Sequence, residues 1–146
     1  MFIDVIAEIK KSYPNVKVAL AGNGTLKNHL KKRISELNLE NTISLLGLLQ
    51  HKASLEYMNK AKIFLHTSSF EGGGAVTHEA LYSGCKVVCT LPLVEKEDIP
   101  FFYRNSKEEI VVKLKKLLAQ EEPIKRELVN ESIIVTKTIY DLFFTL

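Results

Sequence analysis

The stretch Ile63-Phe64-Leu65-His66-Thr67-Ser68-Ser69-Phe70-Glu71-Gly72-Gly73-Gly74-Ala75-Val76-Thr77-His78-Glu79-Ala80-Leu81-Tyr82-Ser83-Gly84-Cys85-Lys86-Val87-Val88-Cys89 decides the fold. Ile63–His66 reads as a strand. A glycine-rich loop, Glu71–Gly74, follows it. Ala75–Ser83 then reads as a helix and Lys86–Cys89 as the next strand. Strand, loop, helix and strand form a βαβ unit, whose right-handed crossover builds a parallel sheet with helices on its faces.

The same alternation extends in both directions. Phe2, Ile6, Ile9 and Tyr13 recur at helical spacing until Pro14 and Asn15 break the pattern. Val16–Ala21 is a strand interrupted by Lys17, and Gly22-Asn23-Gly24 ends it in a tight turn. Thr25 is expected to cap a helix running to about Leu37, with Leu26, Leu30, Ile34 and Leu37 on one face. Thr42–Leu46 is a strand, Ser54–Lys60 a short helix, and Phe101–Tyr103 a weak strand. Ser106-Lys107-Glu108-Glu109 fits a capping box ahead of Ile110, Leu114, Leu117 and Leu118. Pro123 interrupts, and Glu131–Phe144 is expected to form a last helix through Ile134, Ile139, Leu142 and Phe143. The fold class is therefore α/β: a Rossmann-like parallel sheet with helices on both faces, in one domain spanning 1–146 with helices over 106–146. In such sheets ligands bind outside the carboxyl ends of the strands, where both glycine turns, Gly22–Gly24 and Gly72–Gly74, should lie.

Composition narrows the function class. At 146 residues the chain suits one core, and 46% hydrophobic with 25% charged residues is ordinary for a globular domain. A net charge of +3 falls short of the clustered basic stripe of a nucleic-acid binder. Lys27, Lys31, Lys32 and Arg33, and again Lys113, Lys115 and Lys116, read first as solvated helix faces and second as attraction to anionic lipid or a phosphate-bearing substrate. Cys85 and Cys89 lack the companions of a zinc site and are expected to be reduced and buried. No signal peptide is visible, and no apolar run approaches the ~20 residues that cross a bilayer.

The glycine stretch carries the chemistry. Its consecutive glycines let backbone amides approach a ligand, and the first N–H groups of the following helix have no internal partner. Free donors at the positive end of a helix dipole suit an anion, most naturally a diphosphate, although a glycine run before a helix is also an ordinary turn. Glu79 falls about one and a half turns into that helix, where a carboxylate can accept from the paired hydroxyls of a ribose or simply face solvent. His66 reads as a structural histidine and His78 as a surface one, while Gln50 and His51 fall in a loop near the expected base pocket. Ser68 and Ser69 lack a paired histidine and aspartate, which argues against a hydrolase nucleophile.

Glu71 and Glu79 stand in the frame Glu-Gly-x-Gly-x(4)-Glu-Ala-x-x-x-Gly, followed by Lys86-Val87-Val88. This resembles the E-x7-E segment of the retaining GT-B glycosyltransferases of family four. Ala21-Gly22-Asn23-Gly24 resembles that family's G-x-G turn, Ile43–Gly47 its strand before the base pocket, and Tyr57 through Leu65 its next conserved block. The likeness covers most of residues 1–90 and is faint after Leu91. It implies the C-terminal, donor-binding half of such an enzyme, in which a nucleotide diphosphate sugar gives up a hexose to a glycan or lipid-linked acceptor with retention. By position, Glu71 is the catalytic residue beside the donor sugar and Glu79 holds the ribose hydroxyls. Gly72, Gly73, Gly74 and Ala75 meet the sugar or diphosphate, Leu46, Gly47 and Leu48 flank the base, and Gly22 and Gly24 form the opposite turn. The resemblance implies no cofactor and no metal, a cytoplasmic place at the inner face of the membrane with peripheral membrane contact, and no nucleic-acid partner.

Some family features are absent. The family's C-terminal half opens with a central strand, a Gly-Arg turn and a Lys-Gly pair, whereas this sequence enters at the helix after them. The N-terminal acceptor domain is missing too, so the sequence is expected to be truncated at its N-terminus, inactive alone, and completed by that domain or a partner chain. The central slot should be either empty or closed by direct pairing of Val16–Ala21 with Ile63–His66. Gly73 replaces a bulky residue, and Leu91–Pro100 lacks the usual Gly-Gly donor loop. The other readings are a non-catalytic binding or regulatory module and a generic dinucleotide binder; the latter is disfavoured because no full Gly-x-Gly-x-x-Gly follows the first strand.

Overall fold

Pro14 and Asn15 separate the first helix, α1 (Phe2–Ser12), from the first strand, β1 (Lys17–Ala21). The structure, a computed structural model, describes residues 1–67, 75–91 and 100–120 and the strand Ile133–Lys137. After β1 come α2 (Lys27–Glu36), β2 (Ile43–Gly47), α3 (His51–Lys60), β3 (Ile63–His66) and α4 (Ala75–Tyr82). Then follow β4 (Lys86–Cys89), β5 (Phe101–Tyr103), α5 (Lys107–Ala119) and β6 (Ile133–Lys137). The strands form one sheet in the order β2-β1-β6-β3-β4-β5, and every pairing is parallel.

Strand alternation sorts the core into two layers. Val18 and Leu20 of β1, Ile63 and Leu65 of β3 and Val88 of β4 point to the face covered by α1, α2 and α5. Ala19, Phe64, Val87 and Cys89 point to the other face, under Met58 of α3 and Val76 and Ala80 of α4. The fold is thus the expected α/β arrangement with helices on both faces. The α1 stripe of Phe2, Ile3, Val5, Ile6 and Ile9 is buried, while Lys10 and Lys11 complement the negative end of its dipole. The Tyr13 hydroxyl donates to the Lys115 carbonyl at 3.0 Å, tying the end of α1 to α5. The serine half of the capping box before α5 forms, with Ser106 Oγ accepting from the Glu109 N–H at 3.2 Å, while the Glu109 carboxylate reaches one residue past the N-cap and accepts from the Asn105 N–H at 3.4 Å.

Three expectations are corrected. Thr25 does not cap α2; the N-cap is Leu26, with no side-chain cap. The reason is the turn, in which the Lys27 amide donates to the Gly24 carbonyl at 3.1 Å and moves the helix start past Thr25. α3 begins at His51 instead of Ser54, because Gln50 is extended and its carbonyl takes the Ser54 N–H at 3.0 Å. The largest correction concerns Glu131–Phe144, expected as a helix: Ile133–Lys137 is a strand. Ile133, Ile134, Val135 and Thr136 are all β-branched, which disfavours a helix and suits a sheet interior, and so short an apolar run carries no helical period of its own.

β6 decides the centre of the sheet. It pairs with β1 along Lys17↔Ile133 through Ala21↔Lys137, and with β3 at Ile63↔Ile134 and Phe64↔Val135. The slot between β1 and β3 is therefore neither empty nor closed by direct pairing; a strand from the other end of the sequence fills it.

Candidate functional site at the carboxyl edge of the sheet

Because all strands run parallel, their carboxyl ends share one edge, and the order of successive strands reverses across β6. Successive strands run outward from β1 to β2 on one side and from β3 through β4 to β5 on the other. That reversal is the topological switch point where open α/β sheets bind ligands.

On the β1 side, the Gly22 amide donates to the Gly47 carbonyl at 2.8 Å. Both glycines hold positive φ, +146° and +71°, conformations that side chains resist. The β1–β2 register slips between Leu20↔Leu45 and Ala21↔Gly47, so Leu46 is the extra residue of a bulge that bends β2 at its end. The two turns enclose a shallow cleft lined by Ala21, Gly22, Asn23, Gly24, Lys27 and Gly47, over Leu20, Leu30 and Leu45. Leu48, just beyond, is 79% exposed. Asn23 belongs to the glycine turn and Lys27 to the basic run read from the sequence, and the structure places both in the lining of this cleft. The other end of the lysine run, Lys31 and Lys32, faces solvent as expected.

On the β3 side, α4 begins at Ala75 and carries Glu79 in its second turn. A Schellman motif fixes its far end: the Cys85 N–H donates to the Ala80 carbonyl at 2.9 Å and the Gly84 N–H to the Leu81 carbonyl at 2.8 Å. Gly84 supplies the positive φ, +83°, that this motif needs. Glu79 is about one-third exposed, with Oε1 lying 3.7 Å from His51 Nδ1. Its other oxygen, Oε2, is enclosed and has no hydrogen-bond partner among the described residues. An enclosed acceptor without a donor is costly, and ligand hydroxyls would relieve that cost.

His51 thereby joins the two halves of the edge. The end of β2 holds Leu46 and Gly47, the loop to α3 holds Leu48, Gly47 accepts from Gly22, and His51 at the start of α3 lies near Glu79. Of the residues singled out in the sequence, Gly22, Gly24, Leu46, Gly47, Leu48, Ala75 and Glu79 all lie along this edge. Glu71, Gly72, Gly73 and Gly74, and with them Ser68 and Ser69, lie outside the described residues. The His51–Glu79 contact was not legible, because the two residues stand 28 positions apart on different helices with β3 between them.

His66 ends β3 and is buried, stacked on Phe64 with centroids 6.3 Å apart. Its Nδ1 lies 3.5 Å from Cys89 Sγ, and its carbonyl accepts the Thr90 N–H at 3.0 Å. Burial lowers its pKa below the ordinary histidine value, so the ring is neutral at physiological pH. These are the marks of a structural histidine. His78 is exposed, and both cysteines are buried thiols not joined in a disulfide. Among the described residues no cluster of three or more His, Cys, Asp or Glu side chains is arranged to hold a metal, and no helix is long and apolar enough to cross a membrane.

Comparison with known proteins agrees with this architecture. A relative from Campylobacter jejuni, N-acetylgalactosamine-N,N'-diacetylbacillosaminyl-diphospho-undecaprenol 4-alpha-N-acetylgalactosaminyltransferase, is 41% identical over 76 residues, covering 52% of this chain and 20% of its own. The Schizosaccharomyces pombe phosphatidylinositol N-acetylglucosaminyltransferase gpi3 subunit is 26% identical over 139 residues, covering 91% of this chain and 30% of its own. A crystal structure of an S. aureus TarM mutant, in complex with fondaparinux, alpha-GlcNAc-glycerol and UDP, superposes with a TM-score of 0.72 at 23% identity, over 82% of this chain and 25% of that one. The chain thus spans between a fifth and a third of the length of these relatives. The family model for glycosyl transferases group 1 matches residues 1–132, nearly the whole described fold up to β6. That match takes in most of the chain, and the chain belongs to the glycosyl transferases group 1 family.

Proposed function

We propose that this chain is the donor-binding domain of a retaining glycosyltransferase and takes a nucleotide diphosphate sugar at the carboxyl edge of its sheet. The observation that carries the reading is Glu79: a partly enclosed carboxylate near the switch point, one oxygen of which lacks a donor. The paired hydroxyls of a ribose are donors of the right kind and number. The exposed Leu48 and the bulged Leu46 would flank the base, and the amides at the start of α4 would meet the diphosphate. Glu71 and Gly72–Gly74 keep the roles that the family resemblance gives them, with Glu71 beside the donor sugar. Catalysis then rests on electrostatic stabilisation of the departing diphosphate, with no metal or cofactor in the proposal.

The hexose would pass to a glycan or lipid-linked acceptor held by an acceptor domain or a partner chain. A cytoplasmic place with peripheral contact at the inner membrane face fits the lipid-linked names of the relatives. A second reading, a non-catalytic binding module, is favoured by one observation: β6 completes the sheet from beyond the 132 matched residues.

The test is thermal stability with UDP, GDP, ADP and their sugars, wild type beside Glu79→Ala. A ligand at one hundred times its Kd stabilises by about 2.7 kcal/mol. A melting shift with one nucleotide, lost in the variant, supports the donor site. No shift with any nucleotide at millimolar concentration sinks it.

A further inference from the structure

We propose that His51 is a positioning residue for the donor: it holds Glu79 by Oε1 and so presents the enclosed Oε2 to the ribose hydroxyls. This rests on the reading of Glu79 as the acceptor for those hydroxyls.

Two observations carry it. His51 faces Glu79, with Nδ1 at 3.7 Å from Oε1, a pair that is ionic only when the imidazole is protonated, and it sits at the first position of α3. The carboxylate it faces has its other oxygen enclosed and unpartnered. A glutamate side chain turns freely about its terminal bond, and a contact on one oxygen restricts which oxygen faces the ligand. His51 also follows Leu48 by three residues, so the α3 start couples the proposed base-flanking loop to the proposed ribose carboxylate. Its own side chain is 65% exposed, and no packing role competes with the positioning role.

The experiment measures affinity for whichever of UDP, GDP and ADP binds the full chain, and for its 2′-deoxy form, in wild type, His51→Ala and His51→Asn. Exposed pairs at this separation are weak, so His51→Ala is expected to weaken the ribonucleotide about two- to five-fold. The same substitution should leave 2′-deoxynucleotide affinity nearly unchanged, because the hydroxyl pair that Glu79 holds is then incomplete. His51→Asn, which keeps an N–H near the Nδ1 position, should recover most of the loss. Equal losses for both nucleotides, no loss, or tighter binding by His51→Ala each overturn the inference while leaving Glu79 in place. A wild-type chain that binds none of the nucleotides overturns the donor reading itself, and this inference with it.

Discussion

The amide of Gly22 donates to the carbonyl of Gly47 at 2.8 Å, locking the end of β1 to the end of β2 where both chains turn left-handed. A Cβ at Gly47 would meet nothing within 4 Å, so the cost of a side chain there is conformational alone. Gly47→Ala is expected to cost about 1–2 kcal/mol, the usual penalty of a left-handed backbone for an L-residue. Gly47→Asn should recover part of it, since asparagine tolerates that region. Denaturant melts of the three proteins check this; equal stability for Ala and Gly would mean the turn relaxes.

β6 is the only bridge between the two halves of the sheet among the described residues, since β1 and β3 pair with it and not with each other. Val135 lies opposite Ala19 on one side and Phe64 on the other. Val135→Pro removes a ladder donor at the sheet centre and should destabilise by about 3 kcal/mol or more. Hydrogen exchange should show protection lost in both β1 and β3. A variant that melts like wild type would mean that the strand contributes little.

Ser54 is 4% exposed, and its Oγ has no hydrogen-bond partner among the described residues. Burying a hydroxyl without a partner is unfavourable, and alanine is the better helix former. Ser54→Ala should therefore be neutral or more stable by up to about 1 kcal/mol. A loss of 1 kcal/mol or more in denaturant melts would show that the hydroxyl has a partner after all.

His66 is 2% exposed, and burial lowers its pKa below the ordinary 6.5. The unfolded chain then binds a proton that the folded chain refuses. Stability from this group is fully present above about pH 6.5 and falls as the pH drops toward the lowered folded value. Melting temperature from pH 8 to pH 5 should fall in wild type and stay flatter in His66→Asn. Parallel curves would assign the acid sensitivity elsewhere.

Much of this protein was legible in the sequence, and the physical reason is local. Ile63–His66, Lys86–Cys89 and Phe101–Tyr103 are strands over the residues read from the chain, because continuous β-branched or aromatic runs between turn signals leave little alternative. Ser106 and Glu109 announced their cap, since a capping box involves only neighbours in sequence. The parallel sheet, and so the edge where Gly22, Gly47 and Glu79 gather, followed from the alternation of strands with helices. Tertiary structure alone decided what fills the sheet's centre. Ile133–Thr136 could extend or coil by local preference, and the unpaired edges of β1 and β3 settled the choice by offering a ladder on each side. Tertiary structure alone also brought His51 to Glu79, because α3 and α4 pack on the same face of the sheet, and no spacing in a sequence encodes a contact made across two elements.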